Sequence, residues 1–216
     1  MTHLKRQKVP KNWPLNRKGT TFVVKGTNLK SGLPLLVVLR DILKIAKTRK
    51  EVKTALNSKF ILVNSKPAKD EKNSMTLFDT LSIIPSKKHY RLVFNEKGKF
   101  GLEEIKENES LKKIAKTVDK KVLKGKRVQI NLSDGRNYFS DIKCNVNDSV
   151  VVDFKNNKIE KCVPLKEGVK GNVFKGKHAG KTGIVKKIDK ERKIVKLELN
   201  KDETINVLIS FLIAVE

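Results

Sequence analysis

The first forty residues contain no aspartate or glutamate; the earliest acid is Asp41. So one-sided a stretch repels itself and is rarely kept without an anionic partner. Cysteine is nearly as scarce. Only Cys144 and Cys162 occur, far apart and with no C-x-x-C pair, which argues against a disulfide framework or a zinc site and suggests reduced thiols in an intracellular protein. Long apolar runs are missing too. No stretch approaches the ~18–20 residues needed to span a bilayer, and no signal-peptide pattern is present, so a membrane partner is disfavoured. The three histidines (His3, His89 and His178) are scattered, with no cysteine or carboxylate at ligand spacing. Neither G-x-S-x-G, H-E-x-x-H nor a paired-carboxylate segment appears, so no catalysis, metal or cofactor is expected.

What is abundant is positive charge. The 216 residues hold 49 Lys and Arg against 23 Asp and Glu, a net charge of +26. Residues 1–69 carry seventeen of these cations against only Asp41 and Glu51, and so supply +15 of the total. Ordinary surfaces intersperse the two signs. Nucleic acid is the first candidate partner. Length allows two or three small domains, and the apolar residues fall in periodic blocks that can form cores.

The stretch Leu35–Pro67 organises the rest. Leu35, Leu36, Leu39, Ile42, Leu43 and Ala46 recur at steps of three and four, which predicts a helix with one buried stripe, entered after Pro34. On that helix Arg40, Lys44 and Lys47 form a row of cations facing water. Thr48 and Glu51 make a T-x-x-E capping box, so a second helix starts there, with Val52, Ala55 and Leu56 inward and Arg49, Lys50 and Lys53 outward. Phe60–Val63 reads as a strand and Asn64-Ser65-Lys66-Pro67 as a turn.

Ahead of this platform, residues 3–14 hold too few apolar side chains to bury themselves and are expected to order only against a partner, as a solvated basic tail or an RNA-threading arm. Trp13 is read as an anchor onto the protein's own core, with base stacking the alternative. Beyond the platform, Thr76–Ile84 ends in a strand, and Tyr90–Phe94 pairs with Phe100–Leu102 in a hairpin. Residues 103–124 are open between a helix (Leu111, Ile114, Ala115, Val118) and extended chain. Val128–Leu132 turns at Asp134-Gly135 into Tyr138-Phe139, and Val150–Phe154 pairs with Ile159–Val163. The last fifty residues read as short strands of a small closed β-barrel, with Phe211–Val215 running almost to the terminus and no C-terminal tail expected.

The most specific pattern is Gly171-Asn172-Val173-Phe174-Lys175-Gly176-Lys177-His178-Ala179-Gly180-Lys181-Thr182-Gly183. Its glycines suit a tight loop between strands, and its lysines and amides suit phosphates. Gly180-Lys181-Thr182 has the G-K-[ST] ending of a Walker A loop, but Gly176 stands one residue too close to it and no helix is expected to follow. The pattern resembles the KOW motif of SH3-like barrels. Residues 35–67, through Arg40, Asp41, Leu43, Ala46, Thr48, Arg49, Val63, Asn64 and Lys66, resemble the RNA-binding domain named after the fourth bacterial small-subunit ribosomal protein. That domain also occurs in pseudouridine synthases and a tyrosyl-tRNA synthetase, but too little chain remains here for a catalytic domain. Ser65 departs from the glycine often found after the asparagine.

The His3-Leu4-Lys5-Arg6…Pro10…Trp13 opening, Leu33-Pro34-Leu35 ahead of Arg40-Asp41, Lys124-Gly125 ahead of the Asp134-Gly135 turn, and the terminal barrel are together similar to archaeal and eukaryotic small-subunit ribosomal protein four, the "e" family, and closer to the archaeal kind. The resemblance implies an α+β chain: a basic arm (1–34), an S-four-type RNA-binding domain (35–95), a central β domain (96–165) and a KOW SH3-like barrel (166–216), with 103–124 largely extended. It implies a cytoplasmic structural protein of the ribosome whose partners are small-subunit rRNA and neighbouring ribosomal proteins, without small-molecule substrate or self-association. The expected RNA contacts are Lys5, Arg6, Lys8 and Lys11; Arg40, Lys44, Lys47, Arg49, Lys50, Lys53 and Lys66; and Lys175, Gly176, Lys177, His178, Gly180 and Lys181. The alternative is a free KOW-containing RNA-binding regulator of transcription or translation.

Overall fold

A computed structural model describes residues 3–123, 127–140, 142–200 and 203–215. The fold is predominantly β with few helices, and it divides into an amino-terminal unit (residues 1–95 and 99–111) and a carboxy-terminal unit (96–98 and 112–216). The Lys124-Gly125 pair lies outside the described residues.

In the amino-terminal unit, β1 (Leu4–Lys5) pairs antiparallel with β2 (Phe22–Val23), and β3 (Gly32–Pro34) leads into α1 (Leu35–Val37). α1 continues as a π-helical turn, Val38–Ile42, and there the helix stops. This corrects the expectation of one helix to Ala46. Leu43 N–H bonds to the Val38 carbonyl, Ile45 N–H reaches back to Leu39, and Lys44 takes the left-handed conformation (φ 54°). Glycine or asparagine usually occupies such a stop, so a lysine gave no warning of it. The predicted cation row is therefore not helical: Lys44 and Lys47 lie beyond the last turn. Nor is the burial a single stripe, since Val37 and Val38 are as buried as Leu35 and Leu39. Residues 3–14, expected to order only against a partner, are instead ordered on the protein's own core. Leu4 and Trp13 belong to that core, and the Trp13 indole N–H donates to the Gly32 carbonyl at 3.1 Å. Trp13 is thus an anchor.

α2 (Arg49–Asn57) starts at the predicted cap: the Thr48 hydroxyl oxygen accepts from Glu51 N–H, and the Glu51 carboxylate accepts from Thr48 Oγ1 at 2.9 Å and from Lys47 N–H at 2.8 Å. The Lys47 amide, then Thr48, hold the Glu51 carboxyl below its ordinary pKa. β4 (Ile61–Val63) and β5 (Lys66–Pro67) form a hairpin whose turn residues Asn64 and Ser65 both have positive φ, 51° and 63°, the mirror-image turn that suits twisted strands. β6 (Ser74–Thr76) pairs with β3, and β7 (Thr80–Ile83), β8 (Lys88–Phe94) and β9 (Phe100–Ile105) complete a sheet of order β5-β4-β7-β8-β9. Buried Asn64 donates to Asp79 at 2.8 Å and accepts from Thr80 N–H at 3.0 Å, so this motif residue joins the turn to β7.

In residues 103–124 the one-turn α3 (Glu107–Ser110) is followed by the long strand β10 (Lys112–Val122), so this region is largely extended. Pairing on both edges overrides the helical period of its apolar residues. β11 (Val128–Leu132), β12 (Asn137–Phe139), β13 (Ser149–Asp153) and β14 (Lys158–Val163) complete the order β12-β11-β10-β13-β14. The two thiols, remote in sequence, meet in this core; burial raises the pKa of both, Cys162 to about 12. A third five-stranded sheet follows, β18-β17-β16-β15-β19, from β15 (Lys170–Val173), β16 (Thr182–Asp189), β17 (Ile194–Asn200), β18 (Glu203–Leu208) and β19 (Leu212–Val215). Val173, Val185, Val195, Leu197 and Leu212 fill its interior.

Two lysines of β10 are internal. Lys113 Nζ bonds to Asp134 at 2.8 Å with both side chains buried, 2% and 7% exposed. Burial pushes the Asp134 carboxyl up, but the Lys113 charge and hydrogen bond, with Arg136, hold it below the ordinary value. Lys116 Nζ donates to the carbonyls of Ile209 and, at 2.8 Å, Leu212, tying the central sheet to the final one. Burial lowers its pKa to about 8, against the pull of Asp148.

Candidate nucleic-acid interface

The expected cations of residues 40–66 are arranged in two ways. Lys44, Lys47, Lys50 and Lys66 project into solvent. Arg40 and Arg49 are instead held by acids. Arg40 Nε and one Nη reach the two oxygens of Asp41 at 3.1 and 3.0 Å, a forked pair on adjacent residues. Arg49 grips one oxygen of Glu71, with Nε at 2.7 Å and an Nη closer still, and Lys53 stands 3.9 Å from the other oxygen. Glu71 is 1% exposed, whereas the Arg49 side chain is 54% exposed. The main chain at Glu71 is tied to the start of α1, where its carbonyl accepts from Leu36 N–H. A buried acid thus sets the direction of an exposed guanidinium.

On the arm, Lys5, Lys8 and Lys11 are exposed, but Arg6 turns inward on its own loop: Nε donates to the Thr20 carbonyl at 2.6 Å, one Nη to the Asn16 carbonyl at 2.8 Å and the other to Thr20 Oγ1 at 2.9 Å. These bonds shape the loop 16–20. Arg6, Arg40 and Arg49 meet around one cleft of about 1060 Å³, and Lys18, Lys25 and Lys72, none of them predicted, line it too. The acid-free composition pointed at this region as a whole; only the folding of residues 14–27 back over the helix brings the individual side chains together.

The glycine loop between β15 and β16 has Gly176 and Gly180 at φ 86° and 91°, where a side chain would be strained. Gly183 is needed for a different reason: a Cβ there would collide with the Glu198 carbonyl of β17. Lys175 and Lys177 are exposed and His178 is half-buried. Lys181 pairs with Glu203 at 2.7 Å. The expectation that loop amides face phosphate needs correction, because Ala179, Gly180 and Lys181 N–H are bonded to Gly176, Val173 and His178 carbonyls. Those three amides are therefore engaged within the loop, whereas the Lys175 and Lys177 ammonium groups are exposed.

Comparison with known proteins decides the family. Residues 86–159 match the Ribosomal family S4e, and residues 2–28 match the RS4NT (NUC023) domain. The small ribosomal subunit protein eS4 of Methanothermobacter thermautotrophicus is 36% identical over 191 residues, spanning 87% of this chain and 79% of that one. Its counterpart from Nanoarchaeum equitans is 35% identical over 193 residues, spanning 87% and 82%. The chain belongs to the eS4 family. A crystal structure of 30S ribosomal protein S4e from Thermoplasma acidophilum shares the fold, with a TM-score of 0.73 at 24% identity over 86% of this chain and 95% of that one. Within this eS4 chain, none of the described residues forms a cluster of three or more His, Cys, Asp or Glu able to hold a metal.

Proposed function

We propose that this chain is a structural constituent of the small ribosomal subunit, located in the cytoplasm with the ribosome, which binds and clamps rRNA through basic surfaces. Membership of the eS4 family carries the reading. The excess of 26 positive charges supports it, because rRNA phosphates relieve the repulsion among those cations. Neighbouring ribosomal proteins are its other partners, and it acts without catalysis, a membrane or self-association.

Residues 1–34 act as a basic arm, 35–95 as the S-four-type RNA-binding domain, 96–165 as a central β domain and 166–216 as a KOW SH3-like barrel. The contacts are Lys5, Lys8 and Lys11 on the arm, Arg40, Lys44, Lys47, Arg49, Lys50, Lys53 and Lys66 on the platform, and Lys175, Lys177, His178 and Lys181 around Gly176 and Gly180 in the loop. Arg6 contributes by shaping the arm. Most contacts go to phosphate and sugar, since the deep groove of A-form RNA hides its bases. Sedimentation of a cell extract tests the proposal: the chain is expected to co-migrate almost wholly with small subunits. A free pool that never enters those fractions would favour a regulator that works off the ribosome.

A further inference from the structure

We propose that the cleft of the amino-terminal unit binds an unpaired stretch of RNA, with one base resting on Phe22 and the flanking phosphates on Arg40, Arg49 and the nearby lysines. The proposal depends on the rRNA-binding reading and adds the form of RNA that this site takes. Three observations carry it.

The first is shape. The cleft, about 1060 Å³, is lined by the segment 14–27, by Leu36, Arg40 and Asp41 of the helix, and by Asp70 and Lys72. A concavity of this size admits a few nucleotides of single strand and is too small for a duplex. The second is preorganised charge. Asp41 and Glu71 each hold one edge of a guanidinium, so Arg40 and Arg49 keep their other Nη groups for a ligand in a fixed orientation, and exposed Lys18 and Lys72 share the cleft.

The third is an aromatic surface where none is required for packing. In the β1–β2 pair, Leu4 lies opposite Val23 and Lys5 opposite Phe22, so the register that turns Leu4 and Val23 toward the core turns Phe22 outward. Phe22 is 55% exposed, lines the cleft and is braced edge-on by His3, with ring centroids 5.1 Å apart at 82°. A braced, exposed ring among cations suits the face of an unstacked base, which double-stranded RNA does not offer.

The full chain can be titrated with a short unstructured oligouridylate and, separately, with an RNA duplex of similar length. Phe22→Ala is expected to lower affinity for the single strand about tenfold or more, while Phe22→Tyr retains it and duplex binding is unchanged in both. Lys72→Glu, which leaves the β1–β2 pair itself unaltered, is expected to weaken single-strand binding and reduce its salt dependence. Unchanged single-strand affinity in both Phe22→Ala and Lys72→Glu, with duplex binding intact, would overturn the cleft assignment alone. Failure of the native chain to bind either RNA would overturn the rRNA-binding reading beneath it.

Discussion

Two pairs of cations, one in each unit, are used in opposite ways. In the amino-terminal unit, acids serve cations that face outward: buried Glu71 directs the exposed Arg49, and Asp41 forks against Arg40. In the carboxy-terminal unit, two lysines of β10 serve the interior: Lys113 is sealed against Asp134, and Lys116 bonds to two backbone carbonyls. All four count equally toward the net charge. Only the first pair reaches solvent. A composition of +26 therefore overstates the cationic surface, and charge has to be sorted by burial before it is read as binding.

The largest effect that could break this contrast is on Lys113. Lys113→Ala leaves the Asp134 carboxylate buried without its main partner and is expected to destabilise the protein by about 3–5 kcal/mol in denaturant unfolding, with the salt slope of RNA binding unchanged. An altered salt slope would place Lys113 among the RNA contacts. Conversely, replacing Arg40, Lys44 and Lys47 together by Glu should cost about two orders of magnitude in rRNA affinity and flatten the logarithmic salt slope by roughly 2–3, while the melting temperature moves little. Lost affinity with an unchanged slope would mean that these cations lie on the wrong face.

Lys116 sharpens the comparison through pH. Its folded pKa of about 8 lies below the ordinary 10.5, so between these values the unfolded chain binds more protons, and stability should rise with pH across that window. Lys116→Met should remove that component of the rise; identical pH profiles for the two proteins would refute the internal role. The smallest effect concerns the helix that carries Arg49, Lys50 and Lys53. Thr48→Ala removes its side-chain cap and should lower stability by about 1 kcal/mol, with RNA binding at low temperature retained.

Much of this was legible in sequence because it rests on local chemistry. The Thr48–Glu51 cap, the Asp134-Gly135 turn, and the glycines at 176 and 180 each act within a few residues, and each sits where its motif predicts. The misreadings came where distant contacts overruled a local period. Leu43 through Ala46 continue a helical pattern, yet the left-handed Lys44 ends the helix. Residues 3–14 look too polar to bury, but Trp13 gains its cover from segments brought in from elsewhere in the chain. The amides of Ala179, Gly180 and Lys181 look available until their carbonyl acceptors are seen.

The sequence by itself determined the sign and excess of charge, the strand-rich succession of elements and the family, since these follow from residue type and order. Tertiary structure alone decided which cations meet water, that Glu71 aims Arg49, and that Phe22 faces a cleft with Arg40 and Lys72. Those facts depend on burial and on approach between segments tens of residues apart, which a linear pattern does not encode.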